Sequence, residues 1–335
     1  MNLKDKIRNQ VPTLGTWLTI PHTSVVEILA TAKFEWITLD LEHAAIDFES
    51  TLNLIAHIQG NGMKAFVRVS KNEEVVIKRV LDAGADGIIV PMVNSAADVQ
   101  KMIDYIYYPP KGKRGVGLNR AQKYGVGFEE YQTKLNNEIV LIAQIEHIDA
   151  INNLEEILAF DELDGTLIGP YDLSASMGIP GKYDEPIVKE ALEKYERICE
   201  RLNKTKGAHV IQSNPDFTAQ KLSKGYSFLA YSLDFFFLGD SARIGMETLK
   251  NKINMKVGVF GGAGFLGSYL VETLVSKGHE TICMDLRHGE DYGAKFIKID
   301  ILDKDAVSKI CEKEKFDAVY NLAGFANLDK AIQNP

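Results

Sequence analysis

A chain of 335 residues with 45% hydrophobic and 25% charged residues has the composition of a folded protein of about two domains, which excludes a disordered or fibrous class. Its formal net charge of −8 argues against nucleic acid or an anionic membrane as a partner. The start "MNLKDKIRNQ" has no signal-peptide core, no run reaches the roughly 18 to 20 apolar residues that cross a bilayer, and Cys199, Cys283 and Cys311 lack C-x-x-C spacing, so a cytoplasmic protein with reduced thiols is expected.

From Leu14 to about Ser232, short β-branched or aromatic runs alternate with stretches of helical spacing. The strand candidates are "GTWLTI" (15–20), "WITLD" (36–40), "AFVRV" (65–69), "GIIVP" (87–91), "VLIAQIE" (140–146), "GTLIG" (165–169), "AHVIQ" (208–212) and "FLAYSLD" (228–234). Segments such as "SVVEILATAKF" and "EEVVIKRVLDAG" separate them and carry apolar residues at helical spacing. About eight βα units in this length predict a TIM (β/α)8 barrel over residues 1–254 rather than an open sheet. The stretch from Tyr108 to about Asn136 reads as one long Gly- and Lys-rich loop, a length that often signals function.

Several strand candidates end in polar residues: Asp40, Glu42 and His43; Arg68; Glu146; and Asp172. Each alone could cap a helix or join a surface ion pair. A barrel, however, brings all strand C-termini to one face, where the set could share a pocket. Glu146 and Asp172 follow neighbouring strands, and two hard oxygen ligands suit Mg²⁺, Mn²⁺ or a similar ion. His43 could accept a proton near neutral pH, and Arg68 could hold a carboxylate or an enolate oxygen. Asp82 either ends its helix or orients His43. These residue types permit enolate chemistry on a 2-oxo acid without demanding it.

The segments "LDLEHAAID", "FVRVS", "VLDAGADGIIVPMV", "YPPKGKRGVG", "AQIEHIDAINNLEEI" and "DGTLIGPYDLSASMG" resemble the class II, metal-dependent pyruvate aldolases of the HpcH/HpaI type. The resemblance runs from about Leu14 to Met246. It implies reversible cleavage of a 2-oxo-4-hydroxy acid to pyruvate and an aldehyde, with Mg, Mn or Co as metal and a homo-oligomer, commonly a hexamer. It further implies that His43 is the base, tuned by Asp82, and that Arg68 stabilises the pyruvate enolate. Glu146 and Asp172 would hold the metal, while Gln144 and the backbone N–H groups of Tyr171 and Asp172 would bind the oxo acid. Four positions depart from the family pattern. Leu41 and Ala45 flank the E-H pair in place of Gly and Pro, and Tyr171 and His209 stand where small residues are usual. Bulk at Tyr171 and Leu41 would narrow the pocket.

Residues 255–335 carry a second pattern. The apolar run "KVGVF" leads into Gly262, Gly264 and Gly267 as G-x-G-x-x-G, then the helical "SYLVETLVSKG", then "TICMD" ending at Asp285. The glycines allow close approach of a helix N-terminus to a pyrophosphate, and the acid suits a ribose hydroxyl. With "FIKIDILD" around Asp300, "AVYNLAG" and "DKAIQNP", the segment resembles the front of the extended short-chain dehydrogenases that act as nucleotide-sugar epimerases and dehydratases. That family's Tyr-x-x-x-Lys is not found here. The expectation is therefore an incomplete Rossmann segment of about four strands whose last strand is an unprotected edge, with weak or no NAD binding. An alternative function is an NAD-dependent nucleotide-sugar oxidoreductase with the barrel as accessory; a non-catalytic barrel is a third.

Overall fold

A computed structural model describes residues 1–324, without the side chains of residues 251–253, so "DKAIQNP" lies outside the described residues. The chain divides into two compact units, Met1–Asp240 and Ser241–Pro335.

The first unit is a closed parallel barrel of β1 (Thr13–Leu18), β2 (Trp36–Asp40), β3 (Lys64–Arg68), β4 (Gly87–Val90), β5 (Val140–Ile145), β6 (Gly165–Ile168), β7 (Lys206–Val210) and β8 (Phe228–Leu233), in that order. Its strands are buried on both faces, which is why they read as near-continuous apolar runs. Period-2 alternation still divides them. Ile37, Leu39, Ala65, Val67, Ile88 and Val90 pack outward into the large cluster shared with the helices. Trp36, Phe66, Ile89, Ile142 and Phe228 form a separate cluster in the barrel interior.

That interior is filled by pairing an aromatic ring with a glycine across adjacent strands. Trp36 registers with Gly15, Phe66 with Gly87 and Phe228 with Gly207. A Cβ on these glycines would lie 2.0, 2.3 and 2.9 Å from the respective rings. Trp36 and Phe228 stack with centroids 4.4 Å apart, and Phe66 tilts against both. The N-terminal helix Leu3–Arg8 adds Ile7 to this cluster, while Lys4 and Arg8 pair with Asp164, just before β6.

Two sequence expectations need correction. The stretch from Tyr108 to Asn136 is not one loop: it contains a 3₁₀ segment, Arg120–Gly125, and most of an α-helix, Phe128–Asn137, which buries Tyr131 and Leu135 on one face. Its high Glu, Lys and Asn content masks that sparse apolar stripe. β1 and β7 also begin and end two residues earlier than expected. At β1 the reason is local, because the Asp234 carboxylate takes the N–H groups of Thr19 and Ile20 at 2.7 Å and so ends the ladder. A shift of two leaves every side chain on its expected face.

The second unit holds a parallel sheet in the order β11-β10-β9-β12: β9 is Lys256–Phe260, β10 Glu280–Asp285, β11 Lys295–Lys298 and β12 Ala318–Asn321. The glycine-rich turn leads directly into the helix Phe265–Ser276. A Cβ on Gly267 would lie 2.0 Å from the carbonyl oxygen of Gly261, so helix and turn approach as closely as glycine allows. Within the described sheet β12 is an edge, as expected, and Val319 and Tyr320 are exposed. Among the described residues no helix is long and apolar enough to cross a membrane.

Both tryptophans, Trp17 and Trp36, belong to the barrel, so fluorescence reports its unfolding separately. Phe228→Ala should destabilise the barrel by about 3–5 kcal/mol. Gly15→Ala, which drives a methyl into the Trp36 ring, should cost at least about 1–3 kcal/mol. Urea denaturation followed by fluorescence checks both; a glycine variant of unchanged midpoint would show that the interior has room to spare.

Candidate active site

Alternation in the strands decides which polar groups enter the lumen. Asp40 lies four residues after Trp36, Arg68 two after Phe66, Gln144 and Glu146 two and four after Ile142, Trp17 two after Gly15 and His209 two after Gly207. All therefore continue inward-facing series toward the C-terminal ends of the strands. There a cavity of about 620 Å³ opens, lined by Trp17, Asp40, His43, Arg68, Gln144, Gly169, Tyr171, Asp172 and His209 among others.

Arg68 is the best-held group in it. Its register partner across β2 and β3 is Asp40, which accepts Nε at 2.9 Å and Nη2 at 2.7 Å as a two-point fork. Glu42 Oε2 lies 3.0 Å from Nη1, and the guanidinium sits over the Trp17 ring, 4.4 Å from its centroid. Of its five N–H groups the Asp40 fork occupies two, and Glu42 Oε2 answers the charge without accepting a hydrogen bond, which leaves three for other acceptors. Asp40 also accepts the N–H groups of Glu42 and His43, so one carboxylate shapes the turn that carries both. Burial pushes the Glu42 carboxyl above its usual range, against the pull of Arg68. His43 projects largely exposed, 3.7 Å from Glu42.

Glu146 is buried. Its Oε1 accepts the N–H of Met92 at 2.7 Å, and its Oε2 accepts the Gln144 amide. Met92 has a left-handed φ of 53°, which turns its N–H toward the carboxylate. Burial, reinforced by the charge of Asp172, raises the Glu146 pKa, although both hydrogen bonds and Arg68 oppose the rise. Asp172 stands in the first turn of the helix Pro170–Ser176, whose leading N–H groups have no carbonyl behind them. Gly169 precedes that helix because a Cβ there would lie 2.9 Å from Cβ of Glu146.

Two close carboxylates and the buried, unpartnered Oε1 of Gln144 form an all-oxygen donor set that fits a hard divalent cation. Among the described residues no group of three or more His, Cys, Asp or Glu side chains converges as a cage.

His43, Arg68, Gln144, Tyr171 and Asp172 thus share one cavity, and Glu146 is bonded to its wall. Asp82 is not among the described residues that line this cavity. It ends the helix Glu74–Asp82 and pairs with buried Arg114 at 2.5 Å, while Gln122 bonds Tyr108 at 2.9 Å and reaches Asp82 at 3.5 Å. Asp82 therefore fastens the 108–136 segment. Sequence reading missed the stacked Trp17 and the organising role of Asp40. An apolar residue at strand parity before a polar strand end could have flagged the first.

In the second unit, Gly264, Asp285 and Asp300 line a cavity of about 380 Å³. Asp285 accepts the N–H of Ala263 at 3.1 Å, and Asp300 that of Leu302 at 2.9 Å. Gly262 and Gly267 support the turn from behind, and Gly261, at φ 75°, proves to be its left-handed residue.

Comparison with known proteins follows this division. Residues 13–238 match the model of the HpcH/HpaI aldolase/citrate lyase family, and residues 257–335 match that of the NAD dependent epimerase/dehydratase family. A 2-dehydro-3,6-dideoxy-6-sulfogluconate aldolase from Pseudomonas putida is 32% identical over 247 residues, covering 73% of this chain and 96% of its own. A hydroxypyruvate/pyruvate aldolase from Cupriavidus necator is 34% identical over 232 residues, 69% of this chain and 85% of its own. The crystal structure of an HpcH/HpaI aldolase from Desulfitobacterium hafniense superposes with a TM-score of 0.69 at 31% identity, covering 75% of this chain and 97% of that one.

The raised pKa of Glu146 carries a stability consequence. The folded chain binds this proton more tightly than the unfolded chain, so ionised Glu146 destabilises the fold near neutral pH, and that cost fades as pH falls through the folded pKa. Glu146→Gln, with the Gln144 amide free to flip, should therefore melt above the parent at about pH 7. The gap should close toward about pH 4, the ordinary glutamate range. Thermal unfolding of both proteins, without added divalent ions, checks the sign.

Proposed function

This chain belongs to the HpcH/HpaI aldolase/citrate lyase family, and from that membership we propose that it reversibly cleaves a 2-oxo-4-hydroxy acid to pyruvate and an aldehyde through a pyruvate enolate. The observation that carries this reading is the convergence on one cavity of an arginine clamped by Asp40 with N–H groups to spare, the Asp172 carboxylate, the Gln144 amide bonded to buried Glu146, and an accessible histidine.

In cleavage the C4 hydroxyl loses its proton, the C3–C4 bond breaks, and its electron pair passes into the C2 carbonyl to form the enolate. The C4 carbon leaves as the aldehyde, and protonation at C3 yields pyruvate. His43 takes the hydroxyl proton: it lines the cavity, and its own turn is tied to Asp40. Arg68, already oriented by Asp40, turns its remaining N–H groups to the enolate oxygen. Glu146 and Asp172 would hold a divalent ion, Mg, Mn or Co, which when bound supplies positive charge against the enolate. The Gln144 amide and the N–H groups of Tyr171 and Asp172 hold the oxo acid. Because no lysine lines the cavity among the described residues, a Schiff base is not part of this reading. The aldolase domain spans 1–254 and acts as a cytoplasmic homo-oligomer.

Residues 255–335 form the adenosine-side portion of an NAD site and perform no hydride transfer in this reading, because the segment holds no Tyr-x-x-x-Lys. Gly262, Gly264, Gly267, Asp285 and Asp300 allow at most weak NAD binding.

In deuterium oxide the protein should exchange the methyl protons of pyruvate when Mg²⁺ or Mn²⁺ is present and stop when EDTA is added. His43→Ala should lower cleavage about 10²–10⁴-fold while sparing metal affinity, and Asp172→Ala should lose that affinity. Exchange that survives EDTA, or covalent trapping of pyruvate by borohydride, would replace this mechanism with a lysine one. Incubation with NAD⁺ and a panel of nucleotide sugars should give no NADH absorbance; a metered NADH signal would restore an oxidoreductase reading for the second segment.

A further inference from the structure

His209 lies on β7 in the wall between the active-site cavity and an adjoining cavity of about 350 Å³. Its ring is fixed in two ways. It stacks on Trp17 with centroids 4.6 Å apart and planes 5° from parallel. Its Nε2 also lies 3.1 Å from the carbonyl oxygen of Ser232.

That carbonyl is itself specially placed. Ser232 has a left-handed φ of 51°, and the β1–β8 register is irregular between Gly15 and Trp17. The same oxygen accepts the Thr16 hydroxyl at 3.2 Å, and the Ser232 hydroxyl donates to the Ile211 carbonyl at 2.9 Å. A carbonyl only accepts, so Nε2 must carry the hydrogen. Burial lowers the pKa of His209 to about 4, so the ring is neutral and Nδ1 is a bare lone pair. Among the described residues no group donates to Nδ1, and Nδ1 is not one of the buried polar atoms without a partner, so it is not sealed in the core; the ring that carries it lines the active-site cavity.

We propose that His209 is a specificity residue of the aldol site, whose Nδ1 accepts a hydrogen bond from a hydroxyl on the aldehyde half and so favours 2-hydroxyaldehydes. The proposal rests on the aldolase reading above. The chemistry of the two halves selects the partner. The carboxylate and oxo groups of the pyruvate half present only acceptors, which a bare Nδ1 repels. The C4 hydroxyl gives its proton to the base. The next hydroxyl along, on C5 of the acid and C2 of the aldehyde, is the donor that remains. Stacking and tautomer are both set before substrate arrives, so the acceptor needs no reorganisation.

Glycolaldehyde and acetaldehyde differ only in that hydroxyl. The test measures kcat/KM for each with pyruvate in the parent, in His209→Phe and in His209→Asn. Phe keeps a flat ring against Trp17 and has no lone pair, whereas Asn puts its amide oxygen near the Nδ1 position. The ratio of glycolaldehyde to acetaldehyde should fall about tenfold in His209→Phe and stay within about threefold of the parent in His209→Asn. Comparing ratios cancels the intrinsic reactivity of the two aldehydes.

Metal-dependent exchange of pyruvate protons, measured alongside in each protein, reports on the pyruvate half separately. An unchanged ratio in His209→Phe with exchange intact overturns the role of His209 alone. Absence of exchange in the parent overturns the aldolase reading and this proposal with it. Imidazole ¹⁵N spectra of the parent give a check independent of turnover and of variant folding: the Nε2–H tautomer is expected, and the Nδ1–H tautomer would overturn the proposal.

Discussion

The interior of a closed eight-stranded barrel must be filled by side chains, and here the filling depends on three aromatic rings opposite three glycines. Trp36, Phe66 and Phe228 are too large to share one level of the lumen with three more side chains. Gly15, Gly87 and Gly207, at the same register on adjacent strands, supply the space. That layer closes the barrel below the active-site level, and everything above inherits its register. Because Trp36 and Phe66 point inward, so must Asp40 and Arg68, and because Ile142 does, so must Gln144 and Glu146.

Above the aromatic layer the organising force changes from packing to electrostatics. Arg68 is buried, and a buried guanidinium needs its charge and its N–H groups answered. Asp40 does most of this with a two-point fork, and the same carboxylate holds the turn bearing His43. The opposite side of the cavity has the reverse balance. Glu146 is buried with hydrogen-bond donors around it and another carboxylate nearby, which leaves negative charge poorly compensated within the chain. One side of the cavity thus presents unfilled N–H groups and the other carries poorly compensated negative charge.

The second unit is built on a different constraint, the close approach of backbone to backbone. Gly267 touches the Gly261 carbonyl, and Gly261 itself takes a left-handed φ against Ala323. Such contacts admit no Cβ, so the glycine pattern was visible in the chain as a motif. The identity of the left-handed residue was not, because "GGAG" offers two adjacent candidates and only the turn decides between them.

Local pattern alone determined the number and order of the barrel strands, the alternation that sends Asp40, Arg68, Gln144 and Glu146 inward, and the glycine-rich turn. These depend on period-2 burial and on glycine geometry, which are properties of short segments. The helix Phe128–Asn137 escaped because two buried residues in a charged stretch make too faint a stripe. Contacts between distant segments were decided only by the tertiary structure: Asp82 paired with Arg114, Trp17 between Arg68 and His209 in the contact chain, and the Ser232 carbonyl that sets the His209 tautomer. Those partners lie 23 to 192 residues apart in the chain, and no local periodicity encodes which of many polar groups closes such a pair once the barrel brings them together.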